Sequence, residues 1–113
     1  MKYVLLAYRD ERQWEAMSPR ERDDFEAACR ASEQELRHSR HLVDIEGLQS
    51  SPALTVRVLN GKVSLTEGPV VETKGQLTQL LFIRARDLNE AIQVASKMPQ
   101  ARGGLIEVRS IIK

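Results

Sequence analysis

The sequence predicts an α+β fold, ferredoxin-like βαββαβ with an inserted β-hairpin, as a single domain over residues 1–113. Three observations lead there. Two stretches carry helix-starting chemistry, Ser18-Pro19-Arg20-Glu21 and Asp87-Leu88-Asn89-Glu90. Asn60-Gly61 is the strongest hairpin signal in the chain, because both residues tolerate positive φ. Short strand-like runs lie between these signals, in the order strand, helix, strand, hairpin, strand, helix, strand. With the hairpin set aside, βαββαβ remains, an antiparallel sheet with both helices on one face.

The first element is Tyr3-Val-Leu-Leu-Ala-Tyr8, whose length and Val and Tyr content suit a strand buried on both faces. Arg9 to Arg12 end it in charge, and Trp14 and Met17 are expected in a connecting turn. Ser18 then caps a helix that runs to about Ser39, with Pro19 in its first turn and Glu21 completing a capping box. Phe25, Ala28, Cys29, Ser32 and Leu36 fall on one helical face, and charged residues fill the other. His41–Leu48 reads as the second strand, and Gln49 to Pro52 break the chain. Leu54–Leu59 and Lys62–Thr66 are the hairpin strands.

Leu77–Ala85 is the most apolar strand and is expected at the centre of the sheet. The second helix, from Leu88 through Lys97, should bury Leu88, Ala91, Ile92 and Ala95 and stop at Pro99. Ala101 to Gly104 read as a turn, and Leu105–Ile112 as the last strand. Two helices cover one face of the sheet. The first strand nevertheless alternates Val4 and Leu6 with Leu5 and Ala7, apolar on both sides. An uncovered apolar face calls for a partner, and a second copy stacking its own sheet there would make a homodimer.

Composition narrows the function classes. A net charge of +1 gives no general field for nucleic acid. The apolar runs are too short to span a membrane, and the start lacks a signal-peptide layout, so a cytoplasmic location is expected. One cysteine, Cys29, excludes an intrachain disulfide and a multi-cysteine zinc site, and its helical position suggests a small core residue. His38 and His41 sit at a helix–strand junction with poor spacing for a metal, and no cofactor fingerprint is present.

The stretch from Glu67 to Lys74 concentrates polar groups next to a shaped turn. Gly68 and Pro69 define that turn, and Glu67, Glu72 and Lys74 read either as a charged cluster at a pocket mouth or as surface ion pairs. Topology places Tyr8, Trp14, Glu67, Gly68, Pro69, Glu72 and Lys74 around one cleft, with aromatic walls and a few polar groups, as small-ligand sites are built. Arg102-Gly103-Gly104 reads as an anion-binding turn or a plain one.

Met1-Lys2-Tyr3, Glu67-Gly68-Pro69, Glu72-Thr73-Lys74, Gln76-Leu77 and Ala101 to Arg109 together resemble the YCII-related proteins, in their DGPF-domain branch. The likeness runs through the whole chain. It implies a dimeric α+β barrel in which two ferredoxin-like subunits stack sheets. The branch's Asp-Gly-Pro-Phe is Glu67-Gly68-Pro69-Val70 here, and Thr78-Gln79 stand where the branch often has two glycines. YCII-like relatives use a His–Asp pair for acid–base work that includes dehydrochlorination of an aromatic ring; that pair does not map by motif onto this chain. Members of the branch accompany sigma factors, which implies a regulatory association. Two functions follow as expectations: a dimeric small-ligand-binding or regulatory protein, or a cofactor-independent acid–base enzyme of the lyase or isomerase type.

Overall fold

The structure, a computed structural model, describes residues 1–49, 53–70 and 75–112. Four strands form one antiparallel sheet: β1 (Lys2–Arg9), β2 (Leu42–Gly47), β5 (Gln76–Arg84) and β6 (Gly104–Ser110), in the order β2-β5-β1-β6. Between β2 and β5 the chain leaves the sheet to form a separate two-stranded ribbon, β3 (Leu54–Leu59) and β4 (Lys62–Glu67). The long helix α2 (Pro19–His38) follows β1, and α3 (Leu88–Ser96) follows β5. This is the ferredoxin-like order with a hairpin inserted. The most apolar strand, β5, is central and shares that place with β1.

The capping chemistry works as the residue types dictate. Ser18 Oγ accepts from the Glu21 amide, and the Glu21 carboxylate accepts from the Ser18 amide in return. Asp87 accepts from the Glu90 amide at the start of α3, but Glu90 reaches back one residue further, to the Arg86 amide. The hairpin turn has φ of 50° at Asn60 and 76° at Gly61, the left-handed pair that matches strand twist.

Tyr3, Leu5 and Ala7 of β1 and Leu81 and Ile83 of β5 face the helices and are buried. Ala91, Val94, Ala95 and Met98 close over them from the α3 side. Val4, Leu6, Leu80 and Phe82 lie on the opposite face, where no helix packs, and are half-buried. The expected burial of the first strand on both faces therefore holds fully for one face within a single copy.

Several boundaries differ from the sequence reading. Trp14 does not stand in a turn: Asp10 accepts hydrogen bonds from the Arg12 and Gln13 amides and starts a short helix, α1 (Glu11–Ala16). Charge and poor apolar periodicity hid it. The stripe of α3 is rotated from the expected one, with Val94 inside and Leu88 and Ile92 about half exposed. Pro99 does not simply stop a helix. It occupies the first turn of α4 (Pro99–Arg102), so the expected turn from Ala101 begins as helix. Gly104 then allows β6 to start hard against β1, because a Cβ there would lie 1.9 Å from the Tyr8 carbonyl oxygen.

Candidate ligand-binding cleft

The C-terminal end of β1 meets α1, α2 and α4 around a cleft of about 340 Å³. Its walls follow from the elements just described. Alternation along β1 turns Ala7 and Arg9 toward the helices. Asp10 starts α1 and so swings Trp14 back over Arg9, whose guanidinium carbon lies 4.2 Å from the ring centroid. Arg22 of α2 stacks on the same indole at 5.1 Å and donates from Nε to the Trp14 carbonyl. Phe25 meets Trp14 edge to face at 6.1 Å. Two guanidiniums and an aromatic edge thus hold the indole in one orientation. Gly103 leaves room for that arrangement, since a Cβ there would come within 2.9 Å of the Phe25 ring. This close approach accounts for the glycine of Arg102-Gly103-Gly104 without an anion.

The polar lining is mixed, with charged groups along α2 and amides deeper in. Gln100 is buried, and its Nε2 donates to Gln79 Oε1 at 3.0 Å. Its own Oε1 is buried and without a hydrogen-bond partner, behind the part of the side chain that lines the cleft. A buried amide oxygen left unpaired costs on the order of 1–3 kcal/mol. Glu26, Arg30 and Glu33 line the outer side along α2, and Arg37 pairs with Glu33 at 3.3 Å. Cys29 is not the core residue its helical position suggested; it is half-buried and lines the cleft. Burial, with the Glu26 carboxylate second, raises its thiol pKa. It therefore stays protonated at neutral pH and is a poor nucleophile.

Of the site residues read from the sequence, the structure brings Tyr8 and Trp14 to this cleft. Tyr8 contributes the strand end, while alternation sends its ring to the open face beside Arg109, which pairs with Glu107. Glu67, Gly68 and Pro69 do not line the cleft in a single copy. They sit at the base of the hairpin, where the Gly68 amide donates to the Ala53 carbonyl and Thr55 Oγ1 donates to the Gly68 carbonyl. Glu72 and Lys74 lie outside the described residues. Sequence reasoning missed Phe25 as a wall and Gln100 as a polar group. The only local sign of Gln100 was an amide next to Pro99, because its pairing with Gln79 spans 21 residues.

A second depression, about 330 Å³, lies between the end of α2 and α3. In it Ser39 Oγ stands 2.7 Å from His41 Nδ1, and His41 Nε2 3.4 Å from Glu90 Oε1. The Arg86 amide holds the Glu90 carboxyl below its usual range. The chain of contacts resembles a nucleophile and its base. However, it sits at the carbonyl end of α2, and an acyl transfer needs donors aimed at a developing oxyanion. It ties β2 to α3. Among the described residues no three metal-ligating side chains gather, and no helix is long and apolar enough to cross a membrane.

The model of the YCII-related domain matches residues 1–113. The chain belongs to the YCII-related family. Among solved structures it is similar to a 5-chloro-2-hydroxyhydroquinone dehydrochlorinase, TftG, from Burkholderia phenoliruptrix AC1100, in complex with 2,5-dihydroxybenzoquinone. The two share 15% identity over 99% of this chain and 94% of that one, with a TM-score of 0.58. At that identity the likeness is one of fold. A search of curated proteins finds no match.

Proposed function

We propose that this YCII-related protein is a homodimer that binds a small ring-shaped ligand in the cleft at the end of β1. The ligand carries a hydrogen-bond donor. The observation that carries this reading is the buried, unpaired Gln100 Oε1 next to a cleft with Trp14 and Phe25 as aromatic walls and Arg9, Glu26, Arg30 and Glu33 among its charged lining. A ring stacks or packs against the aromatics, and the Gln100 side chain turns its amide oxygen outward to accept from a hydroxyl of the ligand. The volume suits a small molecule, at the low end of ordinary ligand pockets. A second copy seats on the open face of the sheet, where Val4, Leu6, Leu80 and Phe82 lack a helix. Glu67, Gly68 and Pro69, with Glu72 and Lys74, are proposed to approach the ligand from the hairpin base.

A second reading has one specific support. The similar structure is a dehydrochlorinase in complex with 2,5-dihydroxybenzoquinone, a hydroxylated ring. In this chain an acid–base step on such a ring falls to Glu26 or Glu33 on the outer side of the cleft, since the raised Cys29 thiol is unsuited to attack. Release of product from a bound ring distinguishes an enzyme from a binder.

Trp14 is the only tryptophan, so its fluorescence reports the cleft directly. Titration with hydroquinone should change the emission and saturate. 1,4-Dimethoxybenzene, which has the same ring and no donor, should bind about tenfold more weakly, the worth of one hydrogen bond to a buried acceptor. Equal affinities, or no saturation by either, would remove the reading.

A further inference from the structure

The hairpin is built unlike the rest of the chain. β3 and β4 pair with each other and with no strand of the main sheet. Their register puts Val56 opposite Leu65 and Val58 opposite Val63, and alternation adds Leu54 to the same face. The other face carries Thr55, Arg57, Ser64 and Thr66, with Leu59 opposite Lys62 at the tip, while Glu67 joins the apolar face at its base opposite Leu54. The apolar face is bare: Leu54, Val56, Val58, Val63 and Leu65 are each 60–68% exposed. A single two-stranded ribbon is marginal in water, and one with an uncovered apolar face is a surface made for a partner. The ribbon also projects. The radius of gyration is 16.0 Å, against about 13 Å for a compact chain of this length.

We infer that this hairpin is an arm that packs its apolar face on a second copy of this chain, at the β6 corner of that copy's open sheet face. The inference rests on the homodimer proposed above and says which parts meet. Two arguments select a second copy. The first is extent: five uncovered apolar side chains of the arm add to Val4, Leu6, Leu80 and Phe82 of the open sheet face, toward the roughly 800 Å² per partner of a standard interface.

The second is placement. The arm leaves the sheet between the end of β2 and the start of β5. That is the end where Arg9 pairs with Gln76 and with Gly104. β2 and β6 are opposite edges of the sheet. A twofold axis parallel to the strands, beneath the open face, carries the arm's corner over the second copy's β6 corner. Leu105 stands there, 60% exposed, beside Tyr8. Each copy thus offers one arm and one receiving corner, and the pair closes without leaving a free apolar face.

Light scattering of the parent at micromolar concentration should give twice the 12.8 kDa chain mass. Val56→Asp with Leu65→Asp should weaken the dimer at least tenfold, while Arg57→Ser on the polar face of the arm leaves it unchanged. A cross-link supplies a readout independent of folding in the charged variant. In a Cys29→Ser background, tagged Val56→Cys chains are mixed with untagged Leu105→Cys chains. A disulfide between the two kinds of chain is expected. A monomeric parent would overturn the dimer and the arm together. A dimer indifferent to the charged variant, or one in which Val56→Cys links only to its own counterpart, would overturn the arm and leave the dimer standing.

Discussion

The sheet with its helices and the hairpin arm use the same strand chemistry to opposite ends. In the body, β1 and β5 hide Leu5, Leu81 and Ile83 on the face that the helices cover. In the arm, valines and leucines of equal hydrophobicity are left about two-thirds exposed. The body is thus stabilised by its own contacts, whereas the arm's apolar face gains nothing until something covers it. Burial, rather than residue type, decides what a side chain contributes.

Truncation should separate the two regions most sharply. Leu81→Ala removes a side chain that is 1% exposed and should cost about 3 kcal/mol in denaturant unfolding. Val56→Ala should cost under about 0.5 kcal/mol when measured on dilute protein. Comparable costs at the two sites would mean that the arm is held by its own chain and would break the contrast.

Much of the body was legible in the sequence because its signals are local. Ser18 and Glu21 cap α2, Asp87 caps α3, and Asn60-Gly61 turns the hairpin, each acting within four residues. The family signature in the Gln76-Leu77 and Ala101 to Arg109 blocks falls on β5, α4 and β6. The cleft was half legible. Trp14 and Tyr8 were placed by topology, but α1 was not, since Asp10 capping an acidic and basic stretch leaves no apolar stripe. Val94 rather than Ile92 lies inside, in one core cluster with Tyr3, Leu5 and Leu42, residues distant in sequence that a local reading of α3 does not include. The unpaired oxygen of Gln100 is invisible to any local reading, as it arises from what does not reach it.

A smaller effect sharpens the role of local chemistry in the body. The Ser18 amide, with the Ser18 hydroxyl, holds the Glu21 carboxyl below its usual range. A lowered pKa means that the folded state favours the ionised form. Its stabilisation is present above the unfolded value of 4.5 and is lost as pH falls through the lower folded value. Glu21→Gln should therefore flatten part of the fall in melting temperature on acidification below about pH 5. The parent's acid dependence should keep that part. An identical acid slope in both would show that the capping box is not felt by the whole fold.

The most direct test of the ligand reading is a cycle on Gln100. Gln100→Met keeps the length of the side chain and removes its amide, and Trp14 fluorescence again reports binding in the cleft. Hydroquinone should lose about tenfold in affinity in the variant, while 1,4-dimethoxybenzene, which cannot donate, stays within about twofold of the parent. Equal losses for both rings, or none for hydroquinone, would contradict the assignment of Gln100 Oε1 as the ligand's acceptor.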